Sequence, residues 1–216
     1  MSSTVHAPTP LAQLGPIAQL RAGRLARRLP QLYVGLFLYG VSLAMMVRGA
    51  LGLAPWDVLH SGFVRHVPMT LGQAVILFSF VVLVLWIPLK EVPGLGTISN
   101  AIVVGLSADA TLAVLSAPDA LWVRIVLMLG GVLLCGLASA LYIGAQLGRG
   151  PRDGLMTGLS RRTGLSLRLV RTGLEVAVVV IGLLLGGVLG IGTVVYALAI
   201  GPLTQLMLPW FTVELE

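Results

Sequence analysis

The stretch Gly52-Leu-Ala-Pro55-Trp-Asp57-Val-Leu-His60-Ser-Gly62 returns further along the chain as Gly148-Arg-Gly-Pro151-Arg-Asp153-Gly-Leu-Met156-Thr-Gly158. The offset is 96 residues, and it also holds outside the motif. Leu59 and Arg65 fall on Leu155 and Arg161, while Gly94, Gly96, Thr97 and Gly105 fall on Gly190, Gly192, Thr193 and Gly201. Some identities in a chain rich in Gly, Leu and Val arise from composition. The matched Pro, Asp, Arg and Thr do not, and they mark a duplicated unit.

Each copy of the motif reads as the start of a helix. Proline at the first helical position wastes no backbone donor, and Asp two residues on sets a carboxylate at the positive end of the helix dipole. The helix is too short to cross a bilayer, so it lies at the interface or dips into the membrane and returns. Two readings of Asp57 and Asp153 follow. They cap a tight connection between spans. Alternatively they line a central cavity, because irregular backbone at membrane depth is tolerated where it faces protein or water, and they meet a substrate or coupling ion there.

Composition places the repeat in a membrane. Of 216 residues, 57% are hydrophobic and 10% charged, with a mean hydropathy of +0.99. A soluble domain carries about 25% charged residues, so this chain lacks the polar surface of one. Six spans of bilayer length are expected, at about Leu32–Val47, Leu71–Ile87, Thr97–Leu115, Leu121–Ala145, Leu167–Gly186 and Thr193–Leu208. Pro88 and Pro93 stop the second and Pro118 the third. Thr70 and Gln73 form a capping box at the start of the second. No cleavable signal peptide is evident.

The net charge of +6 does not point to nucleic acid, because the arginines sit beside hydrophobic spans. With the N-terminus inside, Arg21, Arg24, Arg27, Arg28, Lys90, Arg149, Arg152, Arg161, Arg162, Arg168 and Arg171 are cytoplasmic; Arg48, Arg65 and Arg124 are outside. That bias puts both termini in the cytoplasm. Each unit holds three spans, an odd number, so the second enters from the opposite face. The expected fold is an all-α, polytopic 3+3 inverted repeat with short interrupted helices after spans one and four. Residues 1–30 are a basic cytoplasmic tail meeting anionic lipid headgroups; 31–118 and 119–216 are the three-helix repeats of one membrane domain.

Ionisable groups within spans have function as their default reading. Asp109 stands mid-span opposite Gln205 of the other repeat, with Arg48 or Arg124 as its candidate partner; a structural ion pair and a pathway role are both open. Arg171 and Glu175 are spaced to pair with each other. Thr97 and Thr193, after the Gly94-Leu-Gly96 and Gly190-Ile-Gly192 turns, read as helix caps or as parts of a gate. His60 lies three residues from Asp57 and within its reach, but His60 and His66 do not make a metal site. No cofactor is expected. Without a defensible Ser/His, paired-Asp or zinc constellation, neither is an enzyme. Cys135 has no partner cysteine and reads as a packing thiol. Stripes of small residues (Gly40, Ala44 and Gly52, with Arg48 in place of a glycine; Gly136, Ala140, Gly144 and Gly148; Gly182, Gly186 and Gly190) let helix backbones approach closely.

LGLAPWDVLHSG, the GLGT turn, and above all LGRGPRDGLMTGL with RTGLSL and GIGT resemble the YczE/YitT group of bacterial integral membrane proteins, most closely its YczE branch. The resemblance spans about residues 30–210. It implies a polytopic inner- or plasma-membrane protein and brings no substrate, cofactor or catalytic residue with it. The residues themselves point to a small secondary transporter or exporter of a polar or anionic molecule, as a possible homodimer. The site would comprise Asp57, Asp153, Asp109, Thr97, Thr193, His60 and Arg48, on a frame of Gly52, Pro55, Gly62, Gly148, Pro151 and Gly158. The alternative is a membrane scaffold or accessory protein docking a partner complex through its Arg-rich 146–171 face.

Overall fold

The computed structural model describes residues 14–215. Among them are nine α-helices and no strand: α1 (Pro16–Arg21), α2 (Leu25–Gly49), α3 (Pro55–Phe63), α4 (Leu71–Leu89), α5 (Leu95–Val114), α6 (Leu121–Gly144), α7 (Pro151–Thr163), α8 (Leu167–Leu184) and α9 (Ile191–Phe211). Residues 1–13 of the expected tail lie outside the described residues. The rest of it differs from expectation, because α2 starts at Leu25 and draws Arg28 into the protein. Arg28 is fully buried. Its guanidinium donates to the carbonyls of Ala145 at 2.8 Å, Gln146 at 2.8 Å and Gln19 at 2.7 Å. The first two lie at the end of α6, where the helix dipole is negative and carbonyls lack intrahelical partners. That demand removes Arg28 from any headgroup role, whereas Arg21, Arg24 and Arg27 remain exposed.

Five helices, α2, α4, α5, α6 and α9, are long and apolar enough to cross a bilayer. α8 occupies the position of the expected fifth span but carries Arg168, Arg171 and Glu175 in 18 residues. Proline punctuation is slightly looser than expected, since α4 passes Pro88 by one residue before ending at Leu89. The Thr70–Gln73 capping box is present, with Gln73 N–H donating to Thr70 Oγ1 at 3.1 Å and Thr70 N–H to Gln73 Oε1 at 3.0 Å. Large apolar side chains such as Phe37, Val84, Leu106, Leu133, Val180 and Leu198 face outward, a surface suited to lipid and not to water.

Hydrogen bonds between helix ends define the two faces of the bundle. At one, Arg28 and Gln31 near the start of α2 reach carbonyls at the ends of α6 and α9, and Arg161 and Arg162 of α7 reach the end of α4. At the other, Arg124 at the start of α6 donates to Gly49 and Ala50 at the end of α2. Arg48 there donates to Leu112 near the end of α5, and His66 after α3 meets the carbonyl of Leu185 after α8. α8 therefore ends at this second face.

Helices α2 and α6 pack along each other at the centre, α2 also against α5 and α6 against α9. The small residues permit this: a Cβ on Gly35 would lie 2.8 Å from the Tyr142 backbone, and one on Gly131 would lie 2.8 Å from Met46. Gly40 abuts Val104, Ser107 and Ala108 of α5, and Gly136 abuts Leu203 of α9. The short helices cross over: α3 packs on α8, and α7 on α4. The turns interlock in the same way. Gly192 N–H donates to Leu51 O at 2.8 Å, and Gly96 N–H to Leu147 O at 2.7 Å. Glycine is required at both crossings. Gly52 and Gly148 have φ of +121° and +134°, a region closed to most side chains, and each lies against the opposite turn.

Candidate functional site

The crossover brings the N-termini of α3 and α7 together inside the bundle. Both helices begin with proline, and their first turns carry Asp57 and Asp153. Each carboxylate also meets another side chain. Asp57 is buried and has Oδ1 3.0 Å from His60 Nδ1 and 3.7 Å from Arg152 Nη2 of the other motif. Asp153 Oδ2 accepts from the Tyr142 hydroxyl at 2.9 Å. The Arg152 guanidinium also stands over the Trp56 ring, 5.0 Å from its centroid, a cation–π arrangement that strengthens as water is removed. Two motifs 96 residues apart thus share one electrostatic cluster.

A cavity of about 250 Å³ opens beside this cluster. α3 contributes Pro55 and Trp56; α7 contributes Arg152, Asp153 and Met156. Tyr39, Tyr142 and Tyr196 add phenol groups, and Arg171 and Glu175 supply an ion pair with Nε to Oε1 at 2.9 Å. The wall therefore offers donors, acceptors and aromatic faces in a space that fits a small polar molecule. Two buried donors or acceptors at the cluster, Trp56 Nε1 and His60 Nε2, have no hydrogen-bond partner. Unpaired buried polar atoms are costly, and Trp56 belongs to the cavity wall.

The other residues singled out in the sequence lie elsewhere. Asp109 is outside the cavity: its Oδ1 accepts from Gly72 N–H at 2.8 Å and its Oδ2 from the Thr70 hydroxyl. It thus holds the N-terminus of α4, whose orphan donors a carboxylate on a neighbouring helix satisfies. The arginines considered as its partners are occupied by backbone carbonyls, Arg48 by that of Leu112 and Arg124 by those of Gly49 and Ala50. Thr97 Oγ1 and Thr193 Oγ1 accept from Gly94 N–H at 3.1 Å and Gly190 N–H at 3.4 Å. Both threonines are buried within the interlocked turns, away from the wall of this cavity. Gly62 and Gly158 let α3 and α7 sit tightly on their neighbours, against Gly182 and Leu89. Among the described residues no cluster of His, Cys, Asp or Glu could hold a metal ion.

Sequence reading missed the aromatic part of the site. Tyr39, Trp56, Tyr142 and Tyr196 are spaced as ordinary helix-core residues, and only the fold turns them toward one another. A usable signal was the mismatch between repeats at Trp56 and Arg152: two different residues at one matched position become stacking partners.

The chain's residues 26–209 match the model of a family described as a family of unknown function, DUF6198. It is 42% identical over 177 residues to an uncharacterised protein of Haemophilus influenzae, covering 82% of this chain and 81% of the relative. It is 30% identical over 179 residues to the uncharacterised membrane protein YczE of Bacillus subtilis, covering 82% and 83%. A third relative, the uncharacterised protein YyaS of Bacillus subtilis, is 25% identical over 183 residues, 82% of this chain and 90% of that one. No solved structure matches the chain.

Proposed function

We propose, for a chain that belongs to the DUF6198 family, the work of a small secondary transporter or exporter of a polar or anionic small molecule. It is a helical membrane protein, as the name of its YczE relative states for that protein. The observation that carries the reading is the meeting of Pro55-Trp-Asp57 and Pro151-Arg-Asp153 at one cavity, tied by Asp57 and Arg152. On this reading α8 is a sixth span. Its charged half turns Arg171 and Glu175 into the cavity, which offsets the cost of placing them in a membrane. The halves then form a 3+3 inverted repeat about an axis in the membrane plane, with reciprocal bonds Gly96–Leu147 and Gly192–Leu51 as its signature. The arginine bias favours cytoplasmic termini in an inner membrane, with Arg21, Arg24 and Arg27 at anionic headgroups.

A scaffold role would draw on the 146–171 arginines, but these are largely engaged within the chain. Arg161 and Arg162 donate to the carbonyls of Leu89 and Pro88, and Arg149 to the Thr157 hydroxyl. The test is exchange of radiolabelled amino acids, amines and organic acids across vesicles containing the purified protein. Exchange of one solute class, abolished in folded Arg152→Ala, is the expected result. Folded wild-type protein that exchanges none of these classes overturns the proposal.

A further inference from the structure

A second, smaller cavity of about 50 Å³ lies on the other side of Arg152 and Asp153. It is the repeat image of the first. Adding the 96-residue offset to Val75, Ser79, Asn100 and Val104, which line it, gives Arg171, Glu175, Tyr196 and Ile200 of the larger cavity. The same offset relates Pro55 and Trp56 of the larger cavity to Pro151 and Arg152 of the smaller. Tyr39, Tyr142, Arg152 and Asp153 line both and form the partition between them.

The larger cavity also leans toward one face. The larger is walled by Tyr142 and Ile143 near the end of α6 and by Thr204 and Gln205 in the second half of α9, whose ends meet the start of α2. The smaller is walled by Val75 and Ser79 in the first half of α4, which begins where Asp109, near the end of α5, holds it, and by Asn100 and Val104 in the first half of α5, which begins beside Leu147. Equivalent walls of different volume on a shared partition, the larger leaning toward one face, are what one sequence duplicated and inverted would give if caught with one side open.

We infer that the smaller cavity is a second, opposite-facing solute subsite, closed in this conformation, and that Tyr39, Tyr142, Arg152 and Asp153 form the gate between the two. The inference rests on the transporter reading. Its asymmetry is chemical as well as geometric. The larger subsite carries the Arg171–Glu175 pair where the smaller has Val75 and Ser79, so the solute meets fixed charges on one side of the gate only.

Single cysteines in a Cys135→Ser background test this in oriented vesicles with a membrane-impermeant thiol reagent. Thr204→Cys and Ser139→Cys react from the face where α2 starts. Val75→Cys, Ser79→Cys and Asn100→Cys react from the opposite face, about ten- to a thousandfold more slowly, as expected for a minor state populated at roughly 0.1–10%. Full reaction after denaturation shows that each thiol is competent, and reading three positions guards against one variant that misfolds. Small-cavity cysteines that stay unreactive from both faces, or that react from the same face as Thr204→Cys, overturn the inference. If they do so while solute exchange persists, the transporter reading stands without this second subsite. If labelling is two-sided while no solute moves, the transporter reading is the one that fails.

Discussion

Removing one member of the Asp57–Arg152 pair should destabilise the protein more than removing both. At 3.7 Å and an effective dielectric of about 20, Coulomb's law gives roughly 4.5 kcal/mol of attraction. The Arg152 side chain is 22% exposed, beside a cavity large enough for water, so about half of that, roughly 2 kcal/mol, is a realistic coupling. Arg152→Met leaves Asp57 buried with only His60 as a partner; Asp57→Asn leaves the guanidinium with the Trp56 ring. The double variant strands no charge and keeps a similar side-chain volume. Thermal unfolding in detergent, followed by size-exclusion recovery, should place the double variant above Arg152→Met, with a coupling energy near 2 kcal/mol in a double-mutant cycle. Solute exchange should be lost in all three variants, which separates the pair's role in folding from its role at the cavity. Additive losses in stability, with no coupling beyond about 0.5 kcal/mol, would refute the reasoning, because the two motifs would then be neighbours without being electrostatically joined.

Gly52→Ala and Gly148→Ala should each cost about 1–3 kcal/mol and lower the melting temperature, since both positions have positive φ and meet the opposite turn. Asp109→Ala should cost about 1–3 kcal/mol by leaving Gly72 N–H without its acceptor yet spare solute exchange, measured in vesicles at matched protein content; exchange lost in folded protein would return Asp109 to the pathway. Arg28→Ala should lower thermal stability by about 2–4 kcal/mol through the carbonyls it leaves bare. Arg28→Lys should recover little of this, because one ammonium cannot span the guanidinium's acceptors on Ala145, Gln146 and Gln19.

The parts of the fold legible in the sequence were those written in local chemistry. Gly-x-x-Pro-x-Asp marks a turn and a helix start wherever it occurs, and α3 and α7 begin at those prolines. Apolar runs located the long helices to within a few residues, apart from α2, whose start depends on a bond from Arg28 to carbonyls 117 residues away. Asp109 illustrates the same limit. An ionisable residue within an apolar run signals that something compensates it, but sequence does not say whether the compensation is an arginine, a ligand or the open end of another helix. Here it is the open end of α4, and only packing α5 against α4 reveals it.

Duplication by itself would give a protein whose two directions are equivalent, and the positions where the repeats diverge are therefore the informative ones. Trp56 and Arg152 occupy matched sites and stack on each other where the two motifs meet, an arrangement that two tryptophans or two arginines would not reproduce. Tyr196 replaces Asn100, Glu175 replaces Ser79 and Arg171 replaces Val75, and all three changes place larger or charged groups around the larger cavity. Those charges hold water in their vicinity, while the smaller cavity shares Arg152 and Asp153 but has Val75 and Ser79 where the larger has Arg171 and Glu175. On the transporter reading, a preference for one open side follows from a few substitutions between the repeats. Replacing Arg171 and Glu175 with Val and Ser, their counterparts in the first repeat, should bring the two sides closer to balance.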